Sequence, residues 1–400
     1  MRINIFFISL LFIIIAPGAY YIYIEKISYS SGSLISAFFV LLVYLTKYKK
    51  IDLDRSCISV FIVSIGIFVV SLSSMILFDW FDYNRFYLSY ILILISTLGS
   101  IVFFELSMKI KDKSLCNSIS AVFYIVLADG LIYLIYKIIF PLSKYPFLIF
   151  FPEMSHFSLI FLPLLLFKVL TSKNNTYVYT IILFSLILAF IVENLTLLVG
   201  IIMVMMIYSI RRTLILFFIP VIFYLLFFGT DNFIYFTNRL VGLAAGLTLE
   251  GKDNISALVF LSGWERAYLN LVDYGLFGIG FNQLGYEGQI GYFQDKIRFH
   301  GLYGLNLKDG GSLAPKIISE LGIFGIILIF MYLFYFIKIT YKIKRYNFSY
   351  SYLDIFYISI FIMSFINFFV RGSGYFSPIM FLFYSSIIYF LRRGISKNIN

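Results

Sequence analysis

Long apolar blocks separated by short polar stretches run along most of the chain. The blocks approach the ~20 residues needed to cross the ~30 Å bilayer core as an α-helix. They do not alternate apolar and polar residues, as the strands of a membrane β-barrel would. The pattern therefore predicts an all-α polytopic membrane protein with twelve spans. We place these spans at residues 3–24, 33–46, 57–78, 86–106, 115–136, 152–170, 177–192, 196–210, 213–228, 317–337, 350–370 and 374–391.

Two of these boundaries depend on a choice between alternatives. The first run could be a cleaved signal peptide, but it is long and Pro17 spoils the small-residue cleavage pattern, so we predict an uncleaved span. The apolar stretch 177–210 is interrupted by one polar pair, Glu193-Asn194. Two short spans in a tight hairpin explain that pair better than one very long helix.

The distribution of Lys and Arg predicts the orientation. With the N-terminus in the cytoplasm, nineteen of the 31 basic residues fall in the inner loops and tail, five in short outer loops and seven in one long outer segment. Cytoplasmic loops are enriched in Lys and Arg, whereas long loops do not follow the rule. We therefore predict cytoplasmic termini and three regions: spans one to nine in 1–228, a large outer loop between helices nine and ten in 229–316, and the last three spans and a tail in 317–400.

Composition agrees with this class. The chain is 61% hydrophobic and 13% charged, against about 25% charged residues in soluble domains. The net charge of +11 is compatible with nucleic-acid binding, but the excess lies in the predicted cytoplasmic loops. We therefore predict no nucleic-acid partner.

The large loop carries most of the candidate chemistry. Its aromatic content argues against disorder, and we predict short amphipathic helices on the membrane surface at 254–274 and 313–320, with a turn-rich platform of six glycines at 275–291. Arginine suits phosphate oxygens, because its planar fork donates two hydrogen bonds at once. The candidates for binding diphosphate or sugar are Arg266, Arg239 and Arg298, with Trp264 and Tyr268 flanking Arg266. Solvated surface charge is the competing interpretation of each arginine.

Further candidates stand at the predicted outer ends of spans. Glu153 and His156 are three residues apart on one helix face, and Arg371 begins the last span. Ionisable groups in membrane spans are functional suspects, although Glu153 also suits a simple helix start. Asp129 lies deeper and is a candidate partner for an arginine. His156 and His300 are the only two histidines and stand far apart in the sequence, so we predict no metal site.

Several motifs resemble bacterial O-antigen polymerases of the Wzy type. They are SGWERAYLN at 262–270 with GLFGIGFNQLG at 275–285, PEMSHF at 152–157, LTLLVG at 195–200, DGGSLAPKIISELGIFG at 309–325 and RGSGYFSP at 371–378. The predicted layout also resembles that family. In the related O-antigen ligases, the histidine motif continues with Asn, whereas His300 is followed by Gly301. That departure favours a polymerase and weakens a catalytic role for His300.

The resemblance implies a metal-independent glycosyltransferase of the bacterial inner membrane with no cofactor. It would transfer a growing O-antigen or capsule glycan from undecaprenyl diphosphate to the next lipid-linked repeat unit at the outer face. Arg266, with Arg239 or Arg371, would hold the diphosphate, and Glu153 or His156, with His300 second, would act as the base. Membrane lipid and a chain-length regulator protein are the further partners that it implies. An O-antigen ligase and a flippase of lipid-linked oligosaccharide remain the alternatives.

Overall fold

The computed structural model describes residues 4–25, 29–49, 55–78, 81–140, 148–209, 238, 241–242, 254–345 and 350–393. These residues are predominantly helical and form no β-strand. The helices are α1 (Ile5–Tyr20, continued by a π-helical turn, Tyr21–Glu25), α2 (Ser30–Tyr48), α3 (Arg55–Leu77), α4 (Tyr83–Met108), α5 (Asp112–Ile139), α6 (Met154–Thr171), α7 (Asn175–Ile191), α8 (Leu195–Tyr208), α9 (Ile255–Tyr274), α10 (Tyr292–Phe299), α11 (Leu313–Arg345), α12 (Tyr352–Phe369) and α13 (Pro378–Arg393).

The described residues include eight helices that are long and apolar enough to cross a membrane, namely α1 to α6, α11 and α12. Helices α7 and α8 are apolar but shorter. The chain is therefore an all-α, multi-pass membrane protein. The predicted ninth span, 213–228, lies outside the described residues, so the count of twelve and the extent of the large loop stay predictions.

The hairpin predicted within 177–210 is present. Helix α7 ends at Ile191 and α8 begins at Leu195. Between them, Glu193 adopts a left-handed backbone (φ 55°), and the Asn194 side chain accepts a hydrogen bond from the Leu197 N–H at 2.7 Å. The polar pair ends one helix and caps the next, because an Asn at the N-cap satisfies a backbone donor that has no partner inside the helix.

Helices also cover both segments predicted as amphipathic. Helix α9 matches 254–274 closely, while 313–320 forms the first turns of α11, which is broken at Gly322 (φ 55°, ψ −132°). Their location on a membrane surface stays a prediction. The break separates a short N-terminal piece from the long apolar helix that follows.

The glycine-rich platform docks against this break in α11. The N–H groups of Ile279 and Gly280 donate to the carbonyls of Ser319 and Glu320 at 3.0 and 2.9 Å. These carbonyls are free to accept because Gly322, in a conformation that favours glycine, interrupts the helical hydrogen bonds. The two glycine-rich motifs are therefore structural partners. Their pairing places residues 281–286 beside the ends of α3 and α4.

Candidate functional site

A polar cavity of about 870 Å³ lies among the helix ends that the charge distribution predicts to be outside. Its volume falls within the roughly 300–1,000 Å³ typical of small-molecule sites. The walls come from six loops and helix ends, far apart in sequence. The chemically active lining residues are Tyr29, Asp82, Arg85, Glu153, His156, Asn282, Tyr286, Asn306, Lys308, Asp309, Lys316, Arg371 and Tyr375.

Three cations converge on one side of the polar cavity, and we call Arg85, Lys308 and Lys316 the cation cluster. The Arg85 guanidinium lies 3.8 Å from the centroid of the Tyr286 ring, and the Lys308 Nζ lies 4.2 Å from it. Arg85 also donates to the Asn282 carbonyl, and Lys316 Nζ donates to the Asn282 side-chain oxygen at 3.2 Å. Two neutral residues, Tyr286 and Asn282, therefore hold the three cations close together.

The cation cluster keeps most of its positive charge. Among the described residues, neither Arg85 nor Lys308 forms an ion pair. The carboxylate beside Lys316 is Glu320, at 3.9 Å. Arg85 and Lys308, which lie close together over one tyrosine ring without an ion-pair partner in the described residues, attract an anionic group such as a phosphate.

The buried carboxylate of Glu320 holds in place the backbone that carries the cation cluster's partners. It accepts hydrogen bonds from the N–H groups of Asn282 and Leu284, at 2.9 and 3.1 Å, and from the Tyr375 hydroxyl at 2.7 Å. Burial, together with the charge of Glu320, raises the pKa of Tyr375 well above its ordinary value, so its hydroxyl stays a donor. Glu320 thereby fixes Asn282, the platform residue to which Arg85 and Lys316 donate hydrogen bonds.

An ion pair also lines the polar cavity. The Arg371 guanidinium donates to Glu153 at 3.1 Å and to the Asn306 side-chain oxygen at 3.3 Å. Although Glu153 is the N-cap residue of α6, its side chain makes no capping hydrogen bond, which removes the simple helix-start explanation. Burial raises the pKa of the Glu153 carboxyl, but the neighbouring His156 and Arg371 outweigh it and hold this pKa below 4.5. Glu153 is therefore ionised at neutral pH.

His156 faces the same space and is held by Tyr29. Its Nδ1 shares a 2.7 Å hydrogen bond with the Tyr29 hydroxyl, and the two rings meet edge to face at 4.9 Å. Tyr29 in turn stacks on Tyr21, in the π-helical turn that ends α1. Burial, then the charge of Glu153, raises the pKa of Tyr29 well above its ordinary value, so the phenol is neutral. The imidazole keeps Nε2 for a further partner.

Of the candidates predicted from sequence, Glu153, His156 and Arg371 therefore meet in one cavity. Asp129, in contrast, pairs with no arginine in the part of the chain that the structure describes. It accepts hydrogen bonds from the backbone N–H groups of Ile149 and Phe150, at 2.8 and 3.3 Å. A carboxylate satisfied by backbone donors in this way secures the loop that enters α6.

Arg266 is not among the residues that line the polar cavity, and its guanidinium faces backbone carbonyls instead. Only 1% of the residue is exposed, and its guanidinium donates to the carbonyls of Gln289 at 3.1 Å and Leu307 at 2.6 Å. Burial lowers the pKa of Arg266 to about 10, so it remains charged at neutral pH. The guanidinium therefore joins two stretches of the loop, one at Gln289 and one at Leu307, because both acceptors are backbone carbonyls.

The neighbours of Arg266 serve the same structural purpose. The Glu265 carboxylate accepts hydrogen bonds from the N–H groups of Tyr292 and Phe293, both at 2.8 Å, at the start of α10. The Asn270 side-chain oxygen accepts from the Gln289 N–H at 2.7 Å. The polar face of α9 therefore orders the segment that follows the glycine-rich platform.

The other loop candidates do not line the polar cavity either. Trp264 packs against the hydrophobic core, and Tyr268 is 66% exposed. Arg298 forms an ion pair with Asp295 one turn away at 3.4 Å, as a solvated surface charge does. His300 is exposed at the end of α10. Arg239 lies outside the described residues.

Sequence reasoning missed Tyr29 and all three members of the cation cluster as site residues. Arg85 counted only as a basic residue of a short outer loop, and Lys308 and Lys316 only as charges of the large loop. One signal was available: Lys316 belongs to the DGGSLAPKIISELGIFG motif, four residues before Glu320. That spacing places both side chains on one helix face.

No protein-family model matches the chain, and neither a curated protein nor a solved structure matches it. The function is therefore argued from the residues that line the polar cavity.

Proposed function

We propose that the chain is a glycosyltransferase of the bacterial cytoplasmic membrane that polymerises lipid-linked oligosaccharide repeat units at the outer face. The observation that carries the proposal is one cavity lined both by the cation cluster and by Glu153, His156 and Arg371. A reaction in which an anionic group leaves while a hydroxyl loses its proton needs both sets of groups. Four of the motifs that resemble O-antigen polymerases supply lining residues.

The donor would be a glycan on a polyprenyl diphosphate. In the transfer, the bond from the anomeric carbon to the phosphate oxygen breaks, and a bond from that carbon to the acceptor oxygen forms. The diphosphate gains negative charge as it leaves. Arg85, Lys308 and Lys316, already held in place by Asn282 and Tyr286, stabilise that charge without having to reorganise. They take the role that the sequence suggested for Arg266.

The base for the acceptor hydroxyl would be His156. Glu153 is committed to the ion pair with Arg371, and its low pKa makes it a weak base. Histidine is the side chain that most often acts as a general base. In the tautomer in which Nδ1–H donates to Tyr29, Nε2 accepts the proton, and the Glu153 carboxylate stands three residues away at the same helix end. Glu153 thus orients Arg371 and stabilises the protonated base.

Two lysines of the same loop provide a matched test. Lys308 Nζ and Lys296 Nζ each lie over a tyrosine ring, at 4.2 and 5.1 Å, but only Lys308 is among the residues that line the cavity. In a strain that lacks the native polymerase, Lys308→Ala should shorten or abolish the polymer ladder on a gel, and Lys296→Ala should restore it fully. Both proteins should be present in the membrane at equal amounts.

The same strain separates the alternatives. Loss of the protein should leave single repeat units on the lipid core. Lipid-linked polymer that accumulates without reaching the surface would instead indicate a ligase, and units trapped at the inner leaflet would indicate a flippase. Equal ladders from the Lys308→Ala and Lys296→Ala strains would contradict the role of the cation cluster.

A further inference from the structure

A second cavity of about 550 Å³, which we call the apolar chamber, adjoins the polar cavity. It lies between the ends of α6, α8, α9 and α12. Most of its lining residues are apolar, among them Leu195, Val199, Ala257, Phe260 and Phe369. Its size is that of a ligand pocket rather than a packing defect.

The two cavities share Glu153, Asn306 and Arg371. These three side chains are bonded to one another, because Arg371 donates to both of the others. Another polar group of the chamber, the Asn194 side chain, accepts from the Leu197 N–H that it caps. The chamber therefore offers a ligand mainly apolar surface.

An apolar surface of this extent gains free energy when an apolar ligand covers it, because apolar area is removed from water. The neighbouring cation cluster attracts an anionic group. Asn306 in the shared wall stands two residues from Lys308, so the anionic and apolar binding surfaces adjoin. A molecule that satisfies both at once has an anionic head joined directly to an apolar chain.

We propose that the apolar chamber holds the isoprenoid units of the lipid carrier that are nearest its diphosphate. The inference rests on the proposed function for the identity of the head group. It places the isoprenoid chain of the lipid at the N-terminal ends of α8 and α9, beside the ion pair of Glu153 and Arg371. The acyl chain of a bulk phospholipid is the competing occupant.

Photolabelling of the full-length protein in nanodiscs tests this assignment. The probe is a polyprenyl diphosphate with a diazirine on its first isoprene unit, and labelled peptides are identified by mass spectrometry. We expect label in residues 195–199 and 255–260. Val199→Phe and Ala257→Leu place larger side chains in the chamber and should lower the labelling about tenfold, because they occupy the volume that the isoprene unit would take. Val69→Phe, on the exposed face of α3, is the matched control and should label like the wild type.

Label elsewhere in the chain, or unchanged labelling in both filled variants, would overturn the assignment. So would equal labelling of the same peptides by phosphatidylglycerol with a diazirine in its acyl chain. Glycan transfer is measured separately on the same samples. Wild-type protein that labels in the chamber but transfers no glycan would refute the proposed function alone, whereas transfer with label elsewhere would refute the chamber alone.

Discussion

Arg266→Ala should destabilise the protein rather than remove a substrate contact. The substitution deletes the donors to the carbonyls of Gln289 and Leu307, which lie 3.1 and 2.6 Å from the guanidinium nitrogens. The residue is 1% exposed, so water has no ready access to either carbonyl. A buried polar group left unsatisfied costs ~1–3 kcal/mol, which gives about 2–6 kcal/mol for the pair. Whole domains have stabilities of only about 5–15 kcal/mol.

The assay is thermal unfolding of the purified protein in detergent, combined with limited proteolysis of residues 287–309. We expect a much lower Tm and early cleavage in that segment, because local unfolding begins where the hydrogen bonds are lost. Arg266→Lys should lie between the wild type and Arg266→Ala, since one ammonium group cannot reproduce the geometry of the fork. Arg298→Ala is the control: its exposed ion pair contributes ~0–1 kcal/mol. Arg266→Ala with a wild-type Tm but no polymer would refute this reasoning and restore the substrate role.

Three further predictions concern the site and its scaffold. Tyr29→Phe should lower kcat with little change in KM and should have no further effect when His156 is already Ala; an equal loss in both backgrounds would mean that Tyr29 is only structural. Gly322→Ala should lower the Tm sharply, because a Cβ there would stand 2.4 Å from the Leu276 carbonyl oxygen, whereas Gly304→Ala meets nothing within 4 Å and should be neutral. The Tm difference between wild type and Glu153→Gln should be constant from neutral pH down to about pH 5 and should shrink at lower pH. The reason is that a carboxyl with a depressed pKa contributes stability that is lost as the pH falls through that pKa. A difference that does not change down to pH 3 would contradict this prediction.

The sequence by itself determined the class and most of the helices. Hydropathy over ~20 residues is a local property that depends on length and composition alone, so it predicted α1 to α8, α12 and α13 close to their observed ends. It located α11 but ended it at residue 337, whereas the helix continues to Arg345 and is broken at Gly322. The hairpin at Glu193-Asn194 was also readable, because capping involves residues only three apart. The charge distribution marked the helix ends at which the polar cavity lies.

Tertiary structure decided which charges meet. Arg266 and Arg85 look alike in the sequence, each beside aromatic residues in a predicted outer segment. Arg266 is buried against backbone carbonyls, whereas Arg85 enters the polar cavity and donates to the Asn282 carbonyl. Asn282 belongs to the glycine-rich platform, which pairs with the break in α11 some 40 residues further along the chain. Such long-range pairings depend on close backbone approach and on the direction of each helix face. Neither has a local signature, so the cation cluster and the Tyr29–His156 pair emerged only from the folded chain.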